Sequence, residues 1–192
     1  MLILGSRLIG IPIMSLQTGT KLAVTKLPII DPSNLRVVAY EVDGTMLSEH
    51  PSFIRIADVR ELSGVGMIID SNDEFVGAKD VISIQKLYEL GFNPIGMRVI
   101  DELKHNLGKV KDYSLETNSF VIQQLNVKPG IIKSLADTEL LIHRSQIVEI
   151  NNQSIIVKAT VKKLAPIKNI DKLTYLNPFR SPSPQTNETH PF

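Results

Sequence analysis

Residues 95–116 read IGMRVIDELKHNLGKVKDYSLE, and residues 9–31 read IGIPIMSLQTGTKLAVTKLPIID. The two segments align when one residue is dropped in a turn, so that Gly10 corresponds to Gly96 and Leu22 to Leu107. The same register then continues as far as Val42 and Val127. Self-similarity over most of a chain is the signature of a repeated structural unit. The sequence therefore predicts an internal duplication.

The similarity returns near the end of each copy, where IRIADVREL (54–62) meets IHRSQIVEI (142–150). Each copy is about 80 residues long, a length at which an independent core is thin, so we expect the copies to lean on one another. The predicted domain organisation is a first domain, a linker helix, a second domain and a flexible tail rich in Pro, Ser and Asn. Their ranges are 1–79, 80–92, 93–164 and 165–192.

Each copy reads as a series of short strands divided by turn residues. Asp31-Pro32-Ser33-Asn34 has the residue types of a tight turn, because proline presets φ and the Asp and Asn side chains bond their own backbone. Pro12 and Pro28 cannot donate to a ladder, which places their strands at an edge, bulge or bend. Five or six short strands at this spacing predict an all-β fold of two tandem, small, partly open β-barrels.

The segment between the copies, DVISIQKLYEL (80–90), is the one convincing helix. Its apolar residues recur at helical spacing, with Asp80 as the predicted N-cap and Gly91 as the residue that ends the run. We expect its apolar face to pack on a barrel. From Asn177 the chain is rich in Pro, Ser, Thr and Asn, and it has too little apolar surface to offset its ordering entropy, which predicts a disordered C-terminal tail.

Composition excludes several classes of function. The 192 residues carry a net charge of +1, where a protein that binds nucleic acid through phosphates usually carries a larger basic excess. The sequence has no cysteine, so disulfides and thiolate chemistry are excluded. No uncharged apolar run is long enough to cross a bilayer, and no signal-peptide pattern opens the chain. These features predict a cytoplasmic protein.

Motifs that might indicate an enzyme fail on inspection. The glycines of Gly5-Ser6-Arg7-Leu8-Ile9-Gly10 have phosphate-loop spacing, but Ile11 and Pro12 follow where Lys and Ser or Thr would be needed. The four histidines lie in different segments with no carboxylates at metal-ligand spacing. Paired acids such as Asp73-Glu74 lie in turns, where carboxylates are usually solvated. We predict no enzymatic activity, no metal and no cofactor.

The residue pattern resembles the PRC-barrel domain family. The resemblance rests on Ile-Gly at the start of a strand, on Leu107-Gly108-Lys109-Val110 leading into the next, and on the turn at 143–147 before a closing strand. In the first copy, Ala23 stands at the position of Gly108, which is a departure from the pattern. The family is known for a reaction-centre subunit domain and a ribosome maturation factor domain. The resemblance implies a binding or scaffolding module without shared catalytic residues.

Two functional hypotheses follow. In the first, edge strands or the groove between the barrels dock another protein by strand addition or through an apolar patch, and a homodimer through edge strands is also possible. In the second, which composition does not favour, basic residues of the second barrel and the tail contact RNA or the ribosome. The candidate contact residues are Lys104, Lys109, Lys111, Lys162 and Lys163.

Overall fold

The computed structural model describes residues 1–45, 47–130 and 139–159, and the statements below concern these residues. Residues 1–159 form one compact unit. The predicted tail at 165–192, together with Lys162 and Lys163, lies outside the described residues. Within them the fold is built from strands, several single 3-10 turns and one α-helix, as an all-β fold requires.

The first sheet has seven strands in the order β6-β7-β2-β3-β4-β5-β8. Its two long strands, β3 and β4, are joined by the turn predicted at residues 31–34, where the Asp31 carboxylate accepts hydrogen bonds from Ser33 and Asn34. The strands are β2 (Pro12–Ser15), β3 (Lys21–Asp31), β4 (Arg36–Asp43), β5 (Ser52–Arg55), β6 (Glu61–Ser63), β7 (Gly66–Ile69) and β8 (Phe75–Gly77).

The second sheet also has seven strands, six of them in the order β12-β11-β10-β9-β14-β13, with β1 paired to β10. Its long hairpin, β10 and β11, turns through residues 117–119. The strands are β1 (Leu2–Leu4), β9 (Arg98–Asp101), β10 (Asn106–Glu116), β11 (Ile122–Lys128), β12 (Leu140–His143), β13 (Ile147–Ile150) and β14 (Ser154–Val157).

The two sheets share one topology. Reading β2 as β9, β3 as β10 and so on to β7 as β14 gives the same strand order in both. The opening and closing strands pair in parallel in each half, and Gly10 and Gly96 both have positive φ at equivalent positions. We call residues at equivalent positions counterparts. Neither sheet path, as described, returns to its first strand, so each is an open sheet.

The two halves meet through the turns of their long hairpins. The N–H of Val37 donates to the Phe120 carbonyl at 2.9 Å, and the N–H of its counterpart Ile122 donates to the Leu35 carbonyl at 2.8 Å. Arg36 and Val121, also counterparts, form an antiparallel bridge between these bonds. Reciprocal contacts between counterparts define an approximate two-fold relation between the halves.

The helix predicted between the copies, α1, spans Ile82–Leu90 and packs on β3, which confirms that it lies on a sheet. Gly91 ends it in the left-handed conformation, at φ 60°, as predicted. The predicted N-cap is wrong. The Asp80 carboxylate accepts the Gly77 N–H at 2.7 Å instead, and the N-cap is Val81, which makes no side-chain cap.

The segment that leads into each half lies on the sheet of the other half. β1, which precedes the first sheet, pairs with β10 of the second, while α1, which precedes the second sheet, covers β3 of the first. Buried side chains from both halves, among them Leu8, Tyr40 and Tyr113, belong to one hydrophobic cluster. The halves therefore share a single core, in line with the expectation that they lean on one another.

The prolines behave differently in the two strands. Pro28 lies on the part of β3 that pairs only with β4 and is flanked by α1, which agrees with the predicted edge. Pro12 opens β2, which lies between β7 and β3 and is not an edge, so of the predicted alternatives the bulge is the one that the structure confirms. The first residue of a strand tolerates proline, and the pairing of β2 with β3 shifts register just after Ile13.

A close approach between two long strands explains why Ala23 replaces the glycine expected from the sequence pattern. In the second half, a Cβ at Gly108 would lie 2.1 Å from the Lys128 carbonyl oxygen. In the first half the glycine is on the opposite chain segment, where a Cβ at Gly44 would lie 2.8 Å from the Leu22 carbonyl oxygen. Each half thus keeps one glycine at the crossing.

We predict that Gly108→Ala lowers the free energy of unfolding by at least about 2 kcal/mol, because the methyl group meets backbone and φ is +140°. Urea titration followed by circular dichroism measures the change. Gly64→Ala is the matched control, since no atom lies within 4 Å of its Cβ, and it should change stability by less than about 0.5 kcal/mol. Equal effects would contradict the crossing.

Candidate docking site

An open groove lies at the seam between the halves. It has a volume of about 650 Å³ and is lined by residues of β1, of the 3-10 turn at Gly5–Leu8 and of the β6–β7 hairpin. We call it the seam groove, and its lining includes Met1, Ile3, Arg7, Ile11, Pro12, Leu62, Gly64 and Thr117. Apolar atoms dominate its wall. Arg7 is the single charged side chain that lines it.

Local structure holds the seam groove open. Leu8 is buried beneath it, and its carbonyl accepts the Thr25 hydroxyl at 2.6 Å. On the other side, the Ser6 hydroxyl donates to Asp112 at 2.5 Å, and Gly5 lies on the Tyr113 ring, where a Cβ would be 2.3 Å from a ring carbon. The Gly5–Leu8 turn is therefore fixed to both sheets.

The two-fold relation places a second groove at the counterpart position. Its lining repeats that of the seam groove, with Met97 for Ile11 and Ile150 for Leu62, but Asn93 replaces Arg7 and Asn152 replaces Gly64. Its volume is only about 290 Å³. We call it the counterpart groove. The seam groove is thus the larger and more apolar of two related surfaces.

The seam groove also borders an open strand edge. In the described residues β1 pairs only with β10, so its other edge is unpaired. Ile3 is half-buried and Leu2 is 50% exposed. An unpaired edge beside an apolar groove offers backbone donors and acceptors together with a pocket for side chains, which is the arrangement that strand addition uses.

The predicted lysine cluster is only partly gathered by the structure. Lys104 lies in the β9–β10 turn at φ 64°, and Lys109 and Lys111 are exposed on β10. Lys111 donates to Glu139 at 2.6 Å, and this hydrogen bond and the nearby carboxylate raise its pKa. Lys111 is therefore compensated, whereas Lys109 forms no ion pair with any described residue.

Lys109 instead lies in a row of cations that sequence reasoning missed. It pairs with Arg98 on one neighbouring strand and with Lys128 on the other, and all three residues are exposed. We call these three residues the basic row. The three residues are far apart in sequence, and the strand register of β10 with β9 and β11 brings them together. Directly opposed like charges repel, so the row costs stability.

Several other side chains with shifted pKa values form local ion pairs. Burial would raise the pKa of Asp101, but hydrogen bonds from the His105 backbone and ring lower it below its ordinary value. Arg55 with Asp58 and Arg60 with Asp70 form comparable pairs, in which the hydrogen bond raises the pKa of each arginine. These pairs have the geometry of structural bridges.

Burial also raises the pKa of the tyrosines in the shared core. Desolvation is the main cause for both Tyr40 and Tyr113. The Tyr40 hydroxyl has no hydrogen-bond partner among the described residues. No three histidine or acidic side chains of the described residues gather as metal ligands, and no helix there has the length and apolar character to span a bilayer.

No protein-family model matches the sequence, and no curated protein matches it. The geometry of the described residues offers two surfaces with distinct chemistry, namely the apolar seam groove and the basic row.

We predict that Lys109→Glu raises the free energy of unfolding by about 0.5 to 1 kcal/mol at low salt, because it turns two repulsive pairs into attractive ones. The gain should shrink as salt screens exposed charges. Lys111→Glu is the control, since it places a carboxylate against Glu139 and should lower stability. Urea titrations at two salt concentrations measure both, and a destabilising Lys109→Glu would contradict a repulsive row.

Proposed function

We propose that this protein is a non-enzymatic interaction or scaffolding module, built from two duplicated PRC-barrel-like halves, and that the seam groove receives an apolar segment of another protein. The observation that carries the proposal is the apolar groove of about 650 Å³ beside the open edge of β1. Energetic anchors of protein interfaces are large side chains that fill such pockets. We propose that the protein acts in the cytoplasm.

The chemistry of the groove specifies the partner. Ile3 and Leu62 fit an aliphatic or aromatic side chain, while Arg7 favours an acidic residue in the same segment. An extended segment also satisfies the backbone groups on the open edge of β1. With one charged side chain and no converging polar groups, the wall is better suited to apolar anchors than to a polar substrate.

The duplication supports the same function. Two equivalent halves whose turns bond reciprocally produce a rigid frame, and interaction sites built on rigid elements lose little conformational entropy on binding. The shared strand order and the counterpart glycines Gly10 and Gly96 support the proposed internal duplication. Divergence of the two grooves then allows one half of the frame to specialise in recognition.

We predict that a photo-crosslinking residue at Leu62 captures a specific partner protein in cells, whereas one at its counterpart Ile150 does not. Both side chains are half-buried and pack against the core, so the pair is matched for placement. Leu62→Asp should weaken partner binding at least about tenfold relative to Ile150→Asp. Equal capture at both positions would refute docking in the seam groove.

A second candidate function follows from the basic row. We propose as the alternative that the protein is an RNA-associated or ribosome-associated assembly factor, in which Arg98, Lys109 and Lys128 contact phosphates. Three cations in register on adjacent strands, none of which forms an ion pair with another described residue, support it, since an anion would relieve their repulsion. The predicted contributions of Lys104, Lys162 and Lys163 belong to this alternative.

We predict for this alternative that single-stranded RNA binds with steep salt dependence, and that Lys109→Glu with Lys128→Glu lowers the slope of log affinity against log salt by at least about 1.4. Fluorescence anisotropy at a series of salt concentrations measures the slope. The single variant Lys109→Glu is compared with Lys86→Glu on the exposed face of α1, because these two variants have the same net charge. Salt-independent binding, or an equal effect of Lys86→Glu, would eliminate the alternative.

A further inference from the structure

The outer strands next to β4 and β11 differ in their own pairing, because one of them has a further strand beside it among the described residues and the other does not. In the first half, β5 is followed in the sheet by β8, and Phe53 of β5 pairs with Val76 and is fully buried. In the second half, β12 is the counterpart of β5, and among the described residues it pairs only with β11. Leu141, the counterpart of Phe53, is 61% exposed.

The backbone of β12 is oriented to accept another strand. The His143 N–H donates to the Gln146 side chain at 2.8 Å and not to β11. Because successive residues of a strand direct their N–H and C=O groups to opposite edges, Leu141 points its own pair toward the same open edge as His143. Leu141 is therefore the central residue of the open edge.

The side chains of this edge are complementary to their own two-fold image. An antiparallel copy centred on Leu141 preserves the faces of the sheet and sets Leu141 opposite itself. Glu139 then lies opposite His143 on the exposed face, twice over, and Leu140 lies opposite Ile142 on the core face. Apolar cross-strand pairs such as Leu141 with Leu141 and Leu140 with Ile142 stabilise a sheet. Glu139 already accepts a hydrogen bond from Lys111, and its exposed carboxylate also faces the His143 side chain of the second copy.

We propose that β12 pairs with β12 of a second copy of this chain, centred on Leu141, to form a dimer with one continuous sheet. The occupant is argued from this self-complementarity and from the contrast with the covered edge at β5. An isologous contact closes after two copies, which prevents the open edge from propagating into a fibre. The proposal goes beyond the docking of a partner in the seam groove, which it leaves unoccupied.

The absence of native cysteine allows a direct test of register. Opposed residues that exchange backbone hydrogen bonds have Cα atoms about 5.5 Å apart, within disulfide range. We predict that Leu141→Cys forms an intermolecular disulfide under mild oxidation and runs at twice 21.3 kDa on non-reducing gels. His143→Cys, which faces Glu139 in this register, is the matched control and should stay monomeric on the same gels.

The native assembly is tested by sedimentation of the unmodified full chain over a range of concentrations. We expect a monomer–dimer equilibrium, with Leu141→Lys raising the dissociation constant at least about tenfold because two lysines then oppose one another. Leu103→Lys is the control, since Leu103 is equally exposed, at 61%, in the turn after β9. Photo-crosslinking at Leu62 should be unchanged in Leu141→Lys, which separates this proposal from the seam groove.

Three outcomes would overturn the dimer. The chain could sediment as a monomer at every concentration, or His143→Cys could cross-link in preference to Leu141→Cys. The third is a monomer whose Leu141 amide is nevertheless protected from hydrogen exchange, which would show that another part of the same chain pairs with β12. If a photo-crosslinking residue at Leu62 captured no partner, that result would not bear on the dimer.

Discussion

The structure depends on the pair of hydrogen bonds between the hairpin turns, from Val37 to Phe120 and from Ile122 to Leu35. Both acceptor residues have positive φ, at 56° for Leu35 and 53° for Phe120. This conformation is costly for a residue with a large side chain, on the order of 1–2 kcal/mol. The cost is offset because it turns both side chains into the core, where they are about 95% buried. The contact thereby joins the two sheets and seals their common interior.

Exchange of the leading segments adds further contacts between the two halves. β1 completes the edge of the second sheet and α1 covers the exposed part of the first, so neither half retains its own lead. Phe53 meets the Tyr88 ring edge-on, with centroids 5.1 Å apart, and this contact ties α1 to the outer face of the first sheet. A half of about 80 residues would otherwise bury too little apolar surface. The common core that the two halves form gives a physical reason why each half needs the other.

Sequence patterns predict the local structure of this chain, but they do not predict the features that depend on strand register. The turn at 31–34 and the end of α1 at Gly91 are both encoded by neighbouring residues, and the structure confirms them. The sequence misplaces the start of α1, because the Asp80 carboxylate accepts the Gly77 N–H and does not cap the helix. The seam groove was anticipated only as a groove between the copies, because its lining depends on which sheet β1 joins.

The basic row likewise depends on strand register and is not predicted from the sequence. Arg98 and Lys128 lie 30 residues apart in sequence and become neighbours of Lys109 only through pairings on both sides of β10. The alignment of the copies did hold one usable signal. At the counterpart positions stand Pro12, Val24 and Asp43, so three cations in one copy replace residues with no positive charge in the other.

That contrast belongs to a wider difference between the two halves. Positions that build the seam, such as Leu35 with Phe120 and Gly10 with Gly96, keep the same conformation in both halves. Positions on the rim do not, because the grooves differ in volume and polarity and, within the described residues, β5 pairs with a further strand whereas its counterpart β12 does not. Shared geometry with divergent surfaces is expected when the fold only presents residues and recognition depends on the side chains at its edges.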